Sequence, residues 1–359
     1  MSVIAAVCAL VLILAALWDA FETIILPRRV RRRLRLTNVI YRMTWEPWTF
    51  IGRRLRGARE SALSLYGPLA LLLLLAIWAV ILIIGFGLLQ WALGSQLISP
   101  SGRITFGTDL YMSGTTFFTL GLGDVVPLSP PARIITVLEG GTGFAFLAMV
   151  IGYLPILYQA FSRREVTISL LDARAGSPPT AAELLRRNAE RGSAAALTGL
   201  LTDWERWSAE VLESHLSYPS LGYFRSQHEN QSWLSSLTAI LDVCTLVLVG
   251  VEDMPKLQAR LTFAMARHAA VDLSQVFGVA THGVKPARLS VDELAELRAI
   301  LTSTGLRLRE GPEADAKLTH LRAQYEPYVL ALSRYLLLPL PPWLPLPDSR
   351  DDWETSPEE

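Results

Sequence analysis

The sequence predicts an all-α membrane protein whose second half is a separate helical domain. Three observations carry that reading: three apolar runs long enough to cross a bilayer, an arginine cluster beside the first, and helical spacing throughout residues 163–345. Hydrophobic residues make up 51% of the 359-residue chain and are concentrated in residues 1–160. The formal net charge is zero, but the signs are unevenly placed, with a basic segment early and an acidic tail after residue 347.

The first run, residues 3–26, is apolar until Asp19 and Glu22. It has no positive n-region and no small-x-small cleavage site, so it reads as an anchor rather than a signal peptide. Asp19 and Glu22 share a face at i, i+3 and are expected to pair with Arg28 or Arg29. Eleven arginines then fall within residues 28–60, against Glu46 and Glu60. A basic run directly behind an apolar segment reads as a membrane flank, and no nucleic-acid partner is expected. Arginine-rich short loops stay in the cytoplasm, which places the N-terminus outside. Tyr41, Trp45, Trp48 and Phe50 are interleaved with the arginines, which suits a segment along the inner leaflet; a solvated linker is the alternative.

The second run lies in a stretch without any charge between Glu60 and Arg103. The third covers about residues 134–158 and returns to the inner face, where Arg163 and Arg164 are expected to stop it. About forty residues separate these two runs, too many for a turn and too few for another full span. Within them, "TDLYMSGTTFF" predicts a short helix capped by Thr108 or Asp109. "TLGLGD" at 119–124 then ends it, and Pro127 prevents its return. Non-helical backbone at membrane depth is tolerated where it is buried in protein or lines a water-filled cavity. Alternate glycines let successive carbonyls turn to one side.

Residues 115–127, "TTFFTLGLGDVVP", resemble the pore signature of potassium channels, T-x-G-[YFL]-G-D behind a threonine-rich pore helix. The resemblance covers roughly residues 65–160. It implies a fold of outer helix, pore helix, selectivity filter and inner helix, here with an extra N-terminal helix. It also implies a passive potassium-selective channel, with K+ as the permeant ion and no cofactor. One pore loop cannot enclose a channel, so the family architecture implies a homotetramer in the lipid bilayer. By position, Thr119, Leu120, Gly121 and Leu122 would supply filter carbonyls, Thr119 its hydroxyl as well, with Gly123 closing the filter. Asp124 would stand at the outer mouth. Leu122 replaces the tyrosine of many members, and Tyr111 and Met112 stand where many carry paired tryptophans. Glu139 reads as support for the pore helix from behind, toward Thr115 or Thr116, with an ion-facing role as the alternative. Gly140, Gly141 and Gly143 form a candidate gating hinge, or equally a close helix-packing contact.

The expected domains are residues 1–27, an N-terminal span; 28–64, the basic interfacial segment; 65–162, the pore; 163–345, a helical cytoplasmic domain; and 346–359, the tail. "SVDELAELRAILTS" opens with a capping-box pattern, and "LTAILDVCTLVLVG", interrupted by Asp242, reads as a buried core helix rather than a fourth span. No G-x-G-x-x-G follows a strand, so no nucleotide regulation is carried over and the cytoplasmic ligand stays unknown. Cys8 and Cys244 lack metal-ligand spacing, the five histidines are scattered, and no catalytic constellation marks an enzyme. A weakly selective cation channel, or a membrane-anchored signalling or scaffold protein with a silent pore, are the alternative functions.

Overall fold

The computed structural model describes residues 2–26, 36–55, 59–100, 102–191, 194–228, 230–252, 254–281, 283, 288–346 and 351. The chain is built almost wholly from helices. Among the described residues, three helices are long and apolar enough to cross a membrane: Val3–Ile25, Arg59–Ala92 and Pro130–Ala175. The expected all-α membrane architecture is what is observed. Arg28, Arg29, Arg31, Arg32, Arg33, Arg35, Arg56, His282 and most of the tail lie outside the described residues, as does the expected pairing of Asp19 and Glu22 with Arg28 or Arg29.

Two compact units divide the chain. The first comprises residues 1–57 and 65–158, the second residues 58–64 and 159–359.

In the first unit, α1 (Ser2–Ala20) continues as one π-helical turn, Phe21–Ile25. Helix α2 (Leu36–Arg54) is amphipathic, and α3 (Arg59–Ala92) fills the long uncharged stretch. Ile13 and Ala16 of α1 pack on Ala79, Leu82 and Phe86 of α3. The approach is close at Gly85, where an added Cβ would lie 2.7 Å from Ile13 Cγ1. Val3, Ile4, Val7, Leu10, Val11 and Leu14 of α1 stay exposed, as a lipid-facing stripe does. The buried Asp19 carboxylate accepts from Trp78 Nε1 at 2.9 Å and from Thr37 Oγ1 at 2.7 Å, tying α1, α2 and α3 together. Unpaired, a carboxylate at that depth would be costly. Helix α2 is anchored by its aromatic residues: Trp45 meets the Tyr66 ring edge-on at 4.6 Å, and Tyr66 donates to the Tyr41 carbonyl.

Between α3 and the last span come β1 (Leu97–Ile98), α4 (Phe106–Phe117) and β2 (Val126–Pro127). Strands β1 and β2 pair antiparallel, Leu97 opposite Pro127 and Ile98 opposite Val126. Helix α4 starts earlier than expected. Thr105, not Thr108 or Asp109, is its N-cap, and Thr108 at N3 accepts from the Thr105 N–H at 3.2 Å. Two threonines three apart satisfy each other there as a Ser–Glu box would.

Helix α5 (Pro130–Ala175) runs well past the expected end of the third span. Arg164 does not stop it at a headgroup layer, because its side chain is buried within the second unit. That unit continues with α6 (Ala181–Arg191), α7 (Ala194–Ser217), α8 (Trp233–Val249) and α9 (Lys256–Val276), followed by α10 (Val291–Ser303), α11 (Pro312–Ala323) and α12 (Glu326–Leu336). The capping box expected at Ser290 and Glu293 opens α10. Helix α8 is buried on all sides, which is why its sequence is apolar without a periodic polar face. Its one charge, Asp242, accepts from Arg288 at 2.6 and 3.1 Å and from Tyr325 at 2.5 Å.

Candidate functional site

The loop after α4 holds an unusual backbone. Thr119, Gly121 and Gly123 have φ of +56°, +54° and +77°, so every second residue is left-handed across the segment. Glycine adopts that region freely and threonine does not, so Thr119 is held there by its surroundings. The chain reverses at the end of α4: Leu120 N–H donates to the Thr115 carbonyl at 2.8 Å, Gly121 N–H to the same oxygen at 3.3 Å, and Thr119 N–H to Thr116. These three donors satisfy carbonyls that a helix end leaves without partners. The carbonyls of Thr119, Leu120, Gly121 and Leu122 accept no hydrogen bond among the described residues, and residues 118–124 are exposed. Left-handed residues at every second position, with the N–H groups of Thr119, Leu120 and Gly121 engaged and the carbonyls of 119–122 free, make a backbone able to present a file of oxygens. Such a file can replace the hydration shell of a cation.

Two sets of contacts hold this loop. At its C-terminal end, Tyr111 of α4 donates to Asp124 Oδ2 at 2.9 Å. Leu128 N–H donates to Gln96, extending the β1–β2 pairing, and Ser95 Oγ donates to the buried Asp109 at 2.7 Å. Behind α4, Ser113 lies between the Ile83 carbonyl, at 2.7 Å, and Glu139 Oε1. A serine hydroxyl has one proton, and a carbonyl can only accept. Ser113 shares that one proton between these two acceptors, so it links α3, α4 and α5 at one point. Glu139 is fully buried, and its second oxygen has no partner among the described residues.

Glu139 therefore lies behind α4, but against Ser113 rather than against the expected Thr115 or Thr116. At about 100° per residue, Thr115 stands roughly 160° around α4 from Ser113, and Thr116 only about 60° away, beside Gly140 rather than Glu139. The Thr115 hydroxyl instead donates to the Met112 carbonyl of its own helix at 3.0 Å. The three glycines of α5 differ from one another. A Cβ at Gly143 would fall 2.0 Å from the Phe117 carbonyl oxygen, a close-packing requirement, while one at Gly140 would meet only Thr116 Cγ2 at 3.7 Å and one at Gly141 nothing. Helix α5 is unbroken through all three.

Tyr111–Asp124, Ser113–Glu139 and Ser95–Asp109 are absent from the sequence reading. The partners lie 13, 26 and 14 residues apart, with no local periodicity to link them. A weak signal existed in Ser113 and Asp109, polar residues on the apolar flank of a short helix. Among the described residues, no group of His, Cys, Asp and Glu is arranged to hold a metal ion.

Residues 70–160 match the family model described as "Ion channel", so α3, the loop segment and the first part of α5 are an ion-channel domain. An "Uncharacterized membrane protein YdjJ" from Bacillus subtilis (strain 168) is 23% identical over 210 residues, covering 57% of this chain and 60% of the relative. No solved structure matches the chain.

Proposed function

We propose that the ion-channel domain of residues 70–160 is the pore of a potassium-selective channel, assembled from four copies of the chain and conducting passively. The single observation carrying this reading is the left-handed alternation at Thr119, Gly121 and Gly123 together with free carbonyls at residues 119–122. Thr119, Leu120, Gly121 and Leu122 contribute carbonyl ligands, Thr119 adds its hydroxyl at the inner end, and Gly123 closes the filter. Asp124 stands at the outer mouth, braced by Tyr111. Glu139, through Ser113, fixes the pore helix from behind. The negative end of α4 adds a further attraction for cations. Exposure of these residues in one chain supports an axis shared with other copies, because a single loop forms only one wall.

In this reading the N-terminus is outside, the loop faces outward, and residues 163–345 form a cytoplasmic domain that controls opening of α5. Gly143 serves as a packing contact against Phe117, and Gly140 and Gly141 remain the positions for a hinge. A second reading, a weakly selective cation channel, is favoured by one observation: Leu122 is exposed and has no hydroxyl with which to brace the loop.

Flux from liposomes containing the purified protein tests the proposal. Potassium and rubidium efflux, with sodium excluded by at least about tenfold, is the expected result. Equal sodium and potassium flux selects the second reading, and no flux at all removes the pore reading.

A further inference from the structure

We infer that the helical unit carries an anion site, in the cleft beyond the C-terminal end of α8, that takes a phosphate-bearing ligand. The chain leaves α8 at Gly250, with φ +143°, and Val251 pairs antiparallel with Leu308. The Glu252 N–H donates to Arg307 at 3.2 Å and the Arg309 N–H to Gly250 at 3.1 Å. In extended backbone successive side chains alternate. Val251 and Leu308 are buried, so Arg307 and Arg309 share the opposite, exposed face. Side chains two apart on such a backbone are separated by about 7 Å. Two guanidinium forks can then converge on one multiply charged group, and the fork geometry matches phosphate.

Lys256 and Lys317 line the same cleft, whose volume is about 530 Å³. That is large enough for a small organic phosphate. Among the described residues of its lining, Glu252 and Glu310 are the carboxylates against four cations, so positive charge is in excess there. Among the described residues, neither carboxylate forms an ion pair with any of the four cations, whereas the buried Arg164 and Arg322 and the half-buried Arg187 and Arg288 of the same unit each meet a carboxylate. One cation has a structural duty: Lys317 Nζ donates to the Leu248 carbonyl and caps the negative end of α8. Lys256, Arg307 and Arg309 have no such duty. Gly250 also shapes the wall, since a Cβ there would lie 3.1 Å from Arg309 Cβ.

The shared chemistry is a phosphate group with two negative charges, from either a soluble metabolite or a lipid headgroup. The site does not depend on the pore reading. The test is calorimetric titration of the full chain in neutral detergent with inorganic pyrophosphate and, separately, with dihexanoyl phosphatidic acid. The wild-type protein should bind at least one probe, with affinity falling as salt rises. Arg307→Ala/Arg309→Ala should weaken it by about tenfold or more. Arg206→Ala/Arg260→Ala, which removes the same charge from exposed positions on α7 and α9, should leave affinity within about twofold. Should the alanine pair unfold the unit, Arg307→Gln/Arg309→Gln provides the same readout. Binding of pyrophosphate assigns a soluble ligand; binding of the lipid alone assigns a headgroup. No binding of either probe, or equal weakening by the two double variants, overturns the site.

Discussion

A left-handed dihedral costs a residue with a side chain about 1–2 kcal/mol. Thr119 already bears that cost in every chain, and Gly121 and Gly123 avoid it. A Cβ at Gly121 would meet nothing within 4 Å inside one chain, so the penalty of Gly121→Ala is backbone strain, repeated in each copy of the proposed tetramer. Gly121→Ala should lower potassium flux by at least about tenfold while leaving assembly intact. Gly94 has φ +90° and equally open surroundings, which makes Gly94→Ala the matched control: similar strain, flux retained. Equal loss in both would mean that strain anywhere disables the protein. The Tyr111 hydroxyl is the other single group with a clear expectation. Tyr111→Phe removes the bond to Asp124 and should narrow potassium-over-sodium selectivity, read as a shift in reversal potential in planar bilayers. The glycines were legible in the sequence because a backbone requirement is written at the position it affects. Ser113 and Tyr111 were not, because each acts through a partner that only the fold brings near.

Helices of the second unit show why charge inside an apolar run was hard to interpret. Asp242 interrupts α8 only in sequence; in space it is matched by Arg288, which stands beside Glu326 and the Trp343 ring. Replacing one partner of such a buried pair typically costs about 3–5 kcal/mol. His215 of α7 is a second buried polar group. Its Nδ1 donates to the Val211 carbonyl at 2.8 Å, which leaves Nε2 to accept from Arg164 at 3.2 Å. Burial, and next the adjacent Arg164 guanidinium, hold the ring well below its usual range. The folded chain thus refuses a proton that the unfolded chain accepts near pH 6.5. Stability from this group is full above that pH and falls, by about 1.4 kcal/mol per unit, as pH drops below it toward the folded pKa. Thermal unfolding followed by circular dichroism between pH 7.5 and 5.5 should show a decline that is smaller in His215→Asn. Identical slopes in the two proteins would exclude His215 as its source.

Across the whole molecule, the fold class was legible because a span is encoded in one contiguous window, whereas the extent of α5 was not, because Arg163 and Arg164 look like a headgroup flank. Arg164 is instead a structural hub: it donates to the Leu221 and Phe224 carbonyls at 2.9 Å, while its own carbonyl accepts from Trp207 Nε1. A soluble fragment must therefore begin before it. Residues 159–351 should melt several degrees above residues 165–351, since the shorter piece leaves two buried carbonyls and an indole N–H without partners. Chain grouping also bears on sidedness. Residues 58–64 belong to the same compact unit as residues 159–359, and Glu60 pairs with Arg225 at 3.1 Å. The proposed topology accordingly puts the start of α3 and the far end of α5 on one side of the membrane and the loop between them on the other. On the proposed reading, the arginine-rich segment before α3 gives that shared side as the cytoplasm. Cysteines placed singly at Arg53 and Arg206, after Cys8→Ala, should react with an impermeant maleimide only in inside-out vesicles, and cysteines at Val3 and Gly102 only in right-side-out ones. Labelling of Arg53→Cys and Arg206→Cys from opposite sides would break the shared-side argument. Labelling of both from outside would instead preserve it and reverse the assignment drawn from the arginines.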